Sequence, residues 1–457
     1  MNAKKILVAC IPADGHFNPL TGIAKHLQEL GHDVRWYTGG RYRTKAEKLG
    51  FPTYPFRRAK VVNQDTFEDL YPQRKYIKGK LARLRFDFEE VFLNRAPEFV
   101  ADLIAIYQEF PFELLLCDTL FSAAPIVKQV LEIPVVTIGI VPLSESSCDL
   151  PPAGLGLEPA SGFWGKHVQA ALRYLTKHLF FKPCTDLYNR YLRQHGLVPT
   201  SDFVFDAFIR SADLYLQSGA PGFEYARKDM SPNVRFVGPL LPYSQGIRRS
   251  FTRYPHLKQY RKVILVTQGT VERDTEKIIV PTLEAFKESP YLVIATTGGS
   301  QTDALRARFP QENLIIEDFV DFNEIMPHCD VYVTNGGYGG VMLGIQHGLP
   351  MVAAGVNEGK NEITARIGYF KLGVNLKTEN PSPAQIRKQV ENLLNNPVYR
   401  RNVVKLRNEF MTYNPNELCE KYIADVLGEP LRPPVRQTGQ HAAGQRIASQ
   451  RRTLLTC

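Results

Sequence analysis

No run of about 18 or more uninterrupted apolar residues occurs in the 457-residue chain, so a membrane-spanning helix is not expected. Cysteine is scarce: seven are scattered along the chain, an odd number and never spaced CxxC. That argues against a disulfide framework or a zinc site and for reduced thiols in a cytoplasmic protein. No secretory signal opens the chain, because Met1-Asn2-Ala3-Lys4-Lys5 runs directly into the strand-like residues 6–10. Acidic residues are missing beyond Leu431, where Arg432, Arg436, Arg446, Arg451 and Arg452 carry half of the net charge of +10. The remaining charge is dispersed and forms no basic stripe with interleaved aromatics, so nucleic acid is excluded as the main partner. No carboxylate cluster with metal-ligand spacing adjoins the motifs described below, and no metal is expected. Nothing in the sequence calls for an obligate protein partner.

What is present reads as a soluble globular chain, with 44% hydrophobic and 22% charged residues. Its length exceeds one ordinary hydrophobic core, so two domains are expected. Residues 5–10 (KILVAC) form a continuous apolar run of strand length, as in a parallel strand buried on both faces. A loop over residues 11–18 then leads to a helix, with Asn18 as its cap and Pro19 at its first position, ending at Gly31. Strand patterns at residues 33–38, 113–117, 134–139 and 234–238 alternate with helical ones, which predicts an open parallel sheet covered by helices. The same alternation restarts at residues 262–267 (KVILVT) and continues through 291–296, 313–317, 331–334 and 351–354. The expected organisation is a doubly wound domain over residues 1–238, a Pro/Gly-containing linker over 239–260, and a second doubly wound domain over 261–429. A tail over 430–457, poor in large apolar residues, is expected to be disordered.

Residues 330–362 carry the clearest chemistry. A strand pattern meets the turn Asn335-Gly336-Gly337-Tyr338-Gly339-Gly340, followed by a helix-length apolar run that Gly348-Leu349-Pro350 stops. Such a turn brings bare backbone N–H groups to a positive helix end, where an anion such as phosphate is held. In the first half, the loop after the first strand contains Gly15-His16-Phe17-Asn18-Pro19, and the 113–117 strand delivers Asp118 to the same sheet edge. An imidazole backed by a carboxylate makes a general base. Two insertions, residues 66–94 and 142–197, carry aromatics including Tyr76, Phe88, Phe92, Phe163, Trp164 and Phe181, and are expected to wall an apolar pocket.

GHFNP at residues 15–19, Asp118 and TNGGYGGVMLGIQHGLPMV at residues 334–352, in that order, resemble the nucleotide-sugar-dependent glycosyltransferases of the GT-B fold. Within that family the likeness is to UDP-glycosyltransferases of natural-product and macrolide-like type, over roughly residues 4–427. The resemblance implies an α/β chain of two Rossmann-like domains facing a cleft, with the last helix returning to the first domain. It implies an acceptor-binding first half, a nucleotide-sugar-binding second half and inverting transfer of a hexose, glucose foremost, from a UDP-sugar to a small lipophilic acceptor. His16 would be the base and Asp118 its orienting carboxylate. Phe319 and Val320 would take the nucleobase, Gln268, Gly269 and Thr270 the phosphate-side loop, and Gly336, Gly337, Gly339 and Gly340 the diphosphate. The UDP-sugar is a co-substrate, and no cofactor is implied.

The chain departs from the family pattern at Asn335, where the motif usually begins with histidine, and at Leu343, where an acid usually holds the ribose. It departs again at Gly359-Lys360, where an Asp-Gln pair usually holds the sugar. Glu358, Asn361 and Glu362 are the substitutes expected to accept from ribose or sugar hydroxyls, and Lys360 to meet the diphosphate. Two other readings fit the same architecture: a UDP-sugar 2-epimerase, and a non-catalytic auxiliary protein that keeps a nucleotide-sugar-like fold.

Overall fold

The computed structural model describes residues 3–62, 64–243, 259–269 and 272–428. Most of the expected linker, the expected tail and Thr270 lie outside these residues.

Two parallel sheets carry the chain. The first contains β1 (Lys5–Ala9), β2 (Asp33–Thr38), β3 (Thr53–Pro55), β4 (Leu114–Asp118), β5 (Val135–Gly139), β6 (Leu214–Gln217) and β7 (Val234–Phe236), in the order β3-β2-β1-β4-β5-β6-β7. The second contains β8 (Lys262–Thr267), β9 (Tyr291–Thr296), β10 (Leu314–Glu317), β11 (Val331–Thr334), β12 (Met351–Ala353) and β13 (Gly373–Asn375), in the order β10-β9-β8-β11-β12-β13. Strand residues alternate between two cores, as a pleat with both faces covered requires. Leu7 and Ala9 enter one core of the first sheet, while Ile6 and Val8 enter the other. In the second sheet Val263 and Leu265 point to one core, Ile264 and Val266 to the opposite one. The expected α/β fold with two doubly wound sheets is the one observed.

Each sheet reverses its winding direction once, between β1 and β4 in the first and between β8 and β11 in the second. At such a switch point the loops leaving adjacent strands diverge and open a crevice at the carboxyl ends, where ligands bind. Ala9 pairs with Cys117 and Thr267 with Thr334. Both sequence motifs therefore emerge at a switch point.

The helix after β1 spans Asp14–Glu29 and begins well before the expected start at Pro19. The carbonyl of Ala13 accepts from the N–H of His16 and of Phe17, closing the first turn ahead of the proline. A proline inside a helix costs about 3 kcal/mol. Burial of Phe17 and Leu20 in the core that also holds Trp36 offsets this at about 1.5–3 kcal/mol per side chain. The consequence is that His16 stands in the rigid first turn of a helix instead of on a loop.

The last described helix, Pro415–Val426, follows the second sheet in sequence but packs on the first. Cys419 and Ile423 join the core of Ile6, Val8, Phe17 and Leu20. Glu420 Oε2 meets His26 Nε2 at 2.8 Å. The return expected of the last helix is thus present, held mainly by apolar burial. Ile423→Ala should lower unfolding free energy by about 2–5 kcal/mol through the cavity it leaves. Glu420→Ala, which breaks a partly exposed pair, should cost less than about 1 kcal/mol. Urea denaturation of the two variants measures the difference.

Candidate active site

Because β1 and β4 are neighbours, the helix leaving β1 and the end of β4 meet at one crevice. His16 Nδ1 lies 2.9 Å from Asp118 Oδ1. Asp118 has no exposed side-chain surface, while His16 keeps 15% of its own. Two backbone donors fix the carboxylate further: Leu120 N–H donates to Oδ1 at 2.9 Å and Ile11 N–H to Oδ2 at 3.3 Å. An ionised carboxylate only accepts, so the shared proton sits on Nδ1 and leaves the Nε2 lone pair available as a base. Burial, reinforced by the nearby Asp118 charge, pushes the Cys10 thiol up to about 12 and raises Cys117 as well. These thiols are inert neighbours, not nucleophiles. The Phe92 ring centroid stands 6.0 Å from that of His16.

The glycine turn lies at the second switch point. Gly336 has φ +78°, and a Cβ there would sit 2.4 Å from Thr364 Cγ2. Its N–H donates to Thr334 Oγ1, and that of Gly337 to Asn335 Oδ1. The amide of Asn335 donates to the Gln268 carbonyl, so this side chain ties the β11 turn to the β8 loop. Helix Tyr338–Gln346 starts immediately after, and its first amides have no intrahelical acceptor. Gly339 is exposed with open space around it. Of the four expected glycines, Gly336 and Gly337 thus have amides bonded within the turn, while Gly339 and Gly340 lead the positive helix end. Gln268 is wholly buried and its amide donates to the carbonyls of Glu272 and Asp274, so its side chain serves its own loop. Gly269 adopts φ +77° and is exposed.

Phe319 follows β10 and is 66% exposed, its ring beside the Gly299 turn. Val320 packs partly into the core. Thr302, bonded to Asp318 and to Thr297, fastens that turn to the end of β10.

The segment following β12 differs from expectation. Gly359 caps helix Lys360–Tyr369, and Lys360 Nζ meets Glu358 Oε2 at 2.7 Å. Glu362 and Asn361 do not project freely toward a sugar. Glu362 Oε1 accepts from the backbone N–H of Gly154 (2.9 Å) and of Gly156 (2.7 Å), and Asn361 Nδ2 donates to the Gly154 carbonyl at 2.8 Å. Behind them Arg366, 3% exposed, lies between Glu362 (3.0 Å) and Glu224 (2.9 Å) and over the Tyr225 ring. Burial raises the Glu224 carboxyl, opposed by Arg366 and the Leu143 N–H. Tyr338, inside the glycine turn, donates to the Ser218 carbonyl at 2.5 Å and accepts from Gln217. Sequence reasoning missed Tyr338, Arg366, Glu224 and the Gly154–Gly156 contacts. The Pro/Gly-rich stretch beginning at residue 142 was visible, but not what it would touch.

The insertion aromatics do not form one wall. Phe88 and Phe181 are core, with Phe88 4.4 Å from Phe205, while Phe163, Trp164 and Tyr174 face solvent. Among the described residues no group of three or more His, Cys, Asp or Glu side chains is placed to hold a metal ion.

Residues 287–424 match the family described as erythromycin biosynthesis protein CIII-like, C-terminal domain. The 4'-demethylrebeccamycin synthase of Lentzea aerocolonigenes is 34% identical over 414 residues, covering 89% of this chain and 95% of that protein. The UDP-glycosyltransferase 2 of Phaeomoniella chlamydospora is 27% identical over 443 residues, covering 93% and 95%. The crystal structure of the glycotransferase of kitacinnamycin has the same fold, with a TM-score of 0.71 at 19% identity over 94% of this chain and 99% of that one.

Glu362→Ala should free the backbone of Gly154 and Gly156. A hydrogen bond to a charged group contributes about 1.5–3 kcal/mol, so amide exchange at these glycines should quicken by roughly tenfold or more. Hydrogen–deuterium exchange read by mass spectrometry tests this. Unchanged exchange would mean the loop is held by other contacts.

Proposed function

Since the chain belongs to the GT-B natural-product glycosyltransferases, we propose that it is an inverting enzyme moving a hexose, glucose foremost, from a UDP-sugar to a hydroxyl of a small apolar acceptor. The observation carrying this reading is the fixed His16–Asp118 pair with an available Nε2 at the first switch point. Nε2 takes the proton of the acceptor hydroxyl as its oxygen attacks the anomeric carbon. Asp118 stabilises the imidazolium that results, and its two backbone donors keep it oriented without reorganisation. The C–O bond to the diphosphate breaks in line, and the electron pair leaves with the nucleotide.

The leaving diphosphate gains negative charge. The amides of Gly339 and Gly340 and the positive end of helix Tyr338–Gln346 oppose that charge, and Lys360, paired with Glu358 at the start of the next helix, is a further cation of this half. The exposed Phe319 ring offers a stacking face for the nucleobase. Asn335 contributes by holding the glycine turn against the β8 loop. Glu358 is the remaining acidic side chain of this segment open to a hydroxyl, since Glu362 is engaged by the loop.

With UDP-glucose and a panel of phenols, terpenols and polyketide alcohols, UDP release is expected for a subset of acceptors. His16→Ala should lower kcat by about 10²–10⁴-fold and Asp118→Asn by at least about tenfold, with the donor KM unchanged. Proton NMR of the glucoside should show the β anomer, and EDTA should leave the rate unaltered. Full activity of the alanine variant, or an α-linked product, refutes the proposed mechanism.

A further inference from the structure

The helix Phe163–Leu175 and its continuation Thr176–Phe180 are built the wrong way round for a helix that stabilises a core. Its inward residues are polar. Gln169 and Thr176 are buried, Gln169 bonds to the Glu158 carbonyl and the Ala160 N–H, and Arg173 donates to the Leu150 carbonyl. Its outward residues are large and apolar: Trp164 is 80% exposed, Phe163 69%, Tyr174 65%, Leu179 62% and Val168 58%, with Leu175 among them. At about 100° per residue these side chains fall within roughly half the circumference, forming one face in which His167 and His178 stand beside the Phe163 and Tyr174 rings, at 4.1 and 4.6 Å between centroids. Lys166 and Lys177 border that face on the Phe163–Tyr174 side.

Charge chooses the occupant. Between residues 159 and 185 there is no Asp or Glu, while Lys166, Arg173, Lys177 and Lys182 are present. A second copy docked through the same face would set lysines against lysines, which an acidic surface avoids. No helix among the described residues is long and apolar enough to cross a membrane, so the helix would lie in an interface and not span it. Aromatic and aliphatic side chains on one face with lysines at its border are what a lipid headgroup layer accepts, the rings at the acyl boundary and the ammonium groups at the phosphates. We propose that this face docks the protein on an anionic lipid surface.

The two tryptophans make the test direct, because Trp36 is wholly buried and Trp164 is not. The full chain is mixed with vesicles of phosphatidylcholine, with or without phosphatidylglycerol, then sedimented and read by fluorescence. Binding is expected with the anionic vesicles, together with a blue shift of Trp164 emission and quenching by brominated acyl chains. Lys166→Glu with Lys177→Glu, and separately Trp164→Ala, should each lower partitioning by about tenfold or more at unchanged melting temperature. Absence of sedimentation with anionic vesicles overturns the proposal, as does equal binding to neutral ones. Concentration-dependent self-association abolished by Trp164→Ala would assign the face to a second copy instead.

Discussion

The Arg366 guanidinium, enclosed between Glu224 and Glu362, is the contact on which the arrangement of the two halves depends. A buried cation is costly unless its partners lie close and its donors are used. Here Arg366 donates to Glu224 through Nε and Nη2, and to both the side chain and the carbonyl of Glu362 through Nη1. Such a cluster contributes little net stability compared with apolar packing, but it tolerates no sliding. One carboxylate comes from the segment between β6 and β7, the other from the helix after β12. The guanidinium therefore sets the register of one sheet against the other. Tyr338 adds a second point of registry from within the glycine turn itself.

From that point the remaining geometry follows. With one oxygen of Glu362 held by Arg366, the other is aimed at the amides of Gly154 and Gly156. Gly156 has φ +63°, and a Cβ there would fall 2.8 Å from that of Asn361, so the loop approaches as closely as a backbone can. The two oxygens of one carboxylate thus link a buried structural cluster to the loop of Gly154 and Gly156. A side chain expected to meet a sugar hydroxyl instead holds a loop and the Arg366 guanidinium. The His16 side is built in a parallel way. The Asp118 side chain has no exposed surface and three donors, two of them backbone amides, so its orientation is decided by the fold.

How much of this could be read from the sequence follows from which contacts are local. KVILVT became β8 with the expected bounds, and the 291–296 and 331–334 strands did likewise, because burial on both faces leaves an unbroken apolar run. Two of the four edge strands leave no such mark, and the short interior strand β6 was missed as well. Thr53–Pro55 and Gly373–Asn375 are three residues each, and the second contains glycine and asparagine, so neither stood out. His16 and Asp118 were legible because switch-point topology brings the ends of adjacent strands together whatever the intervening chain does. The start of the first helix was misjudged because the proline signal is local, whereas burial of Phe17 against Trp36 is not. Glu362 and Gly154 lie 208 residues apart, and no periodicity connects them.

The two insertions show where composition stops being informative. Both are rich in aromatics, and an apolar wall, a core and an outward docking face all require that composition. Position decides among them. Phe88 and Phe181 interlock with Phe203, Phe205 and Phe208 and are core, and Phe92 stands beside the His16 ring. In helix Phe163–Leu175 the polar residues Gln169 and Arg173 hold the chain to its own loop while the large apolar residues face away. Folding alone favours the opposite orientation, since each large side chain left in water forgoes about 1.5–3 kcal/mol of burial. An apolar face kept outward by polar bonds on the inward side is therefore explained by what it meets outside the chain, and not by the stability of the fold.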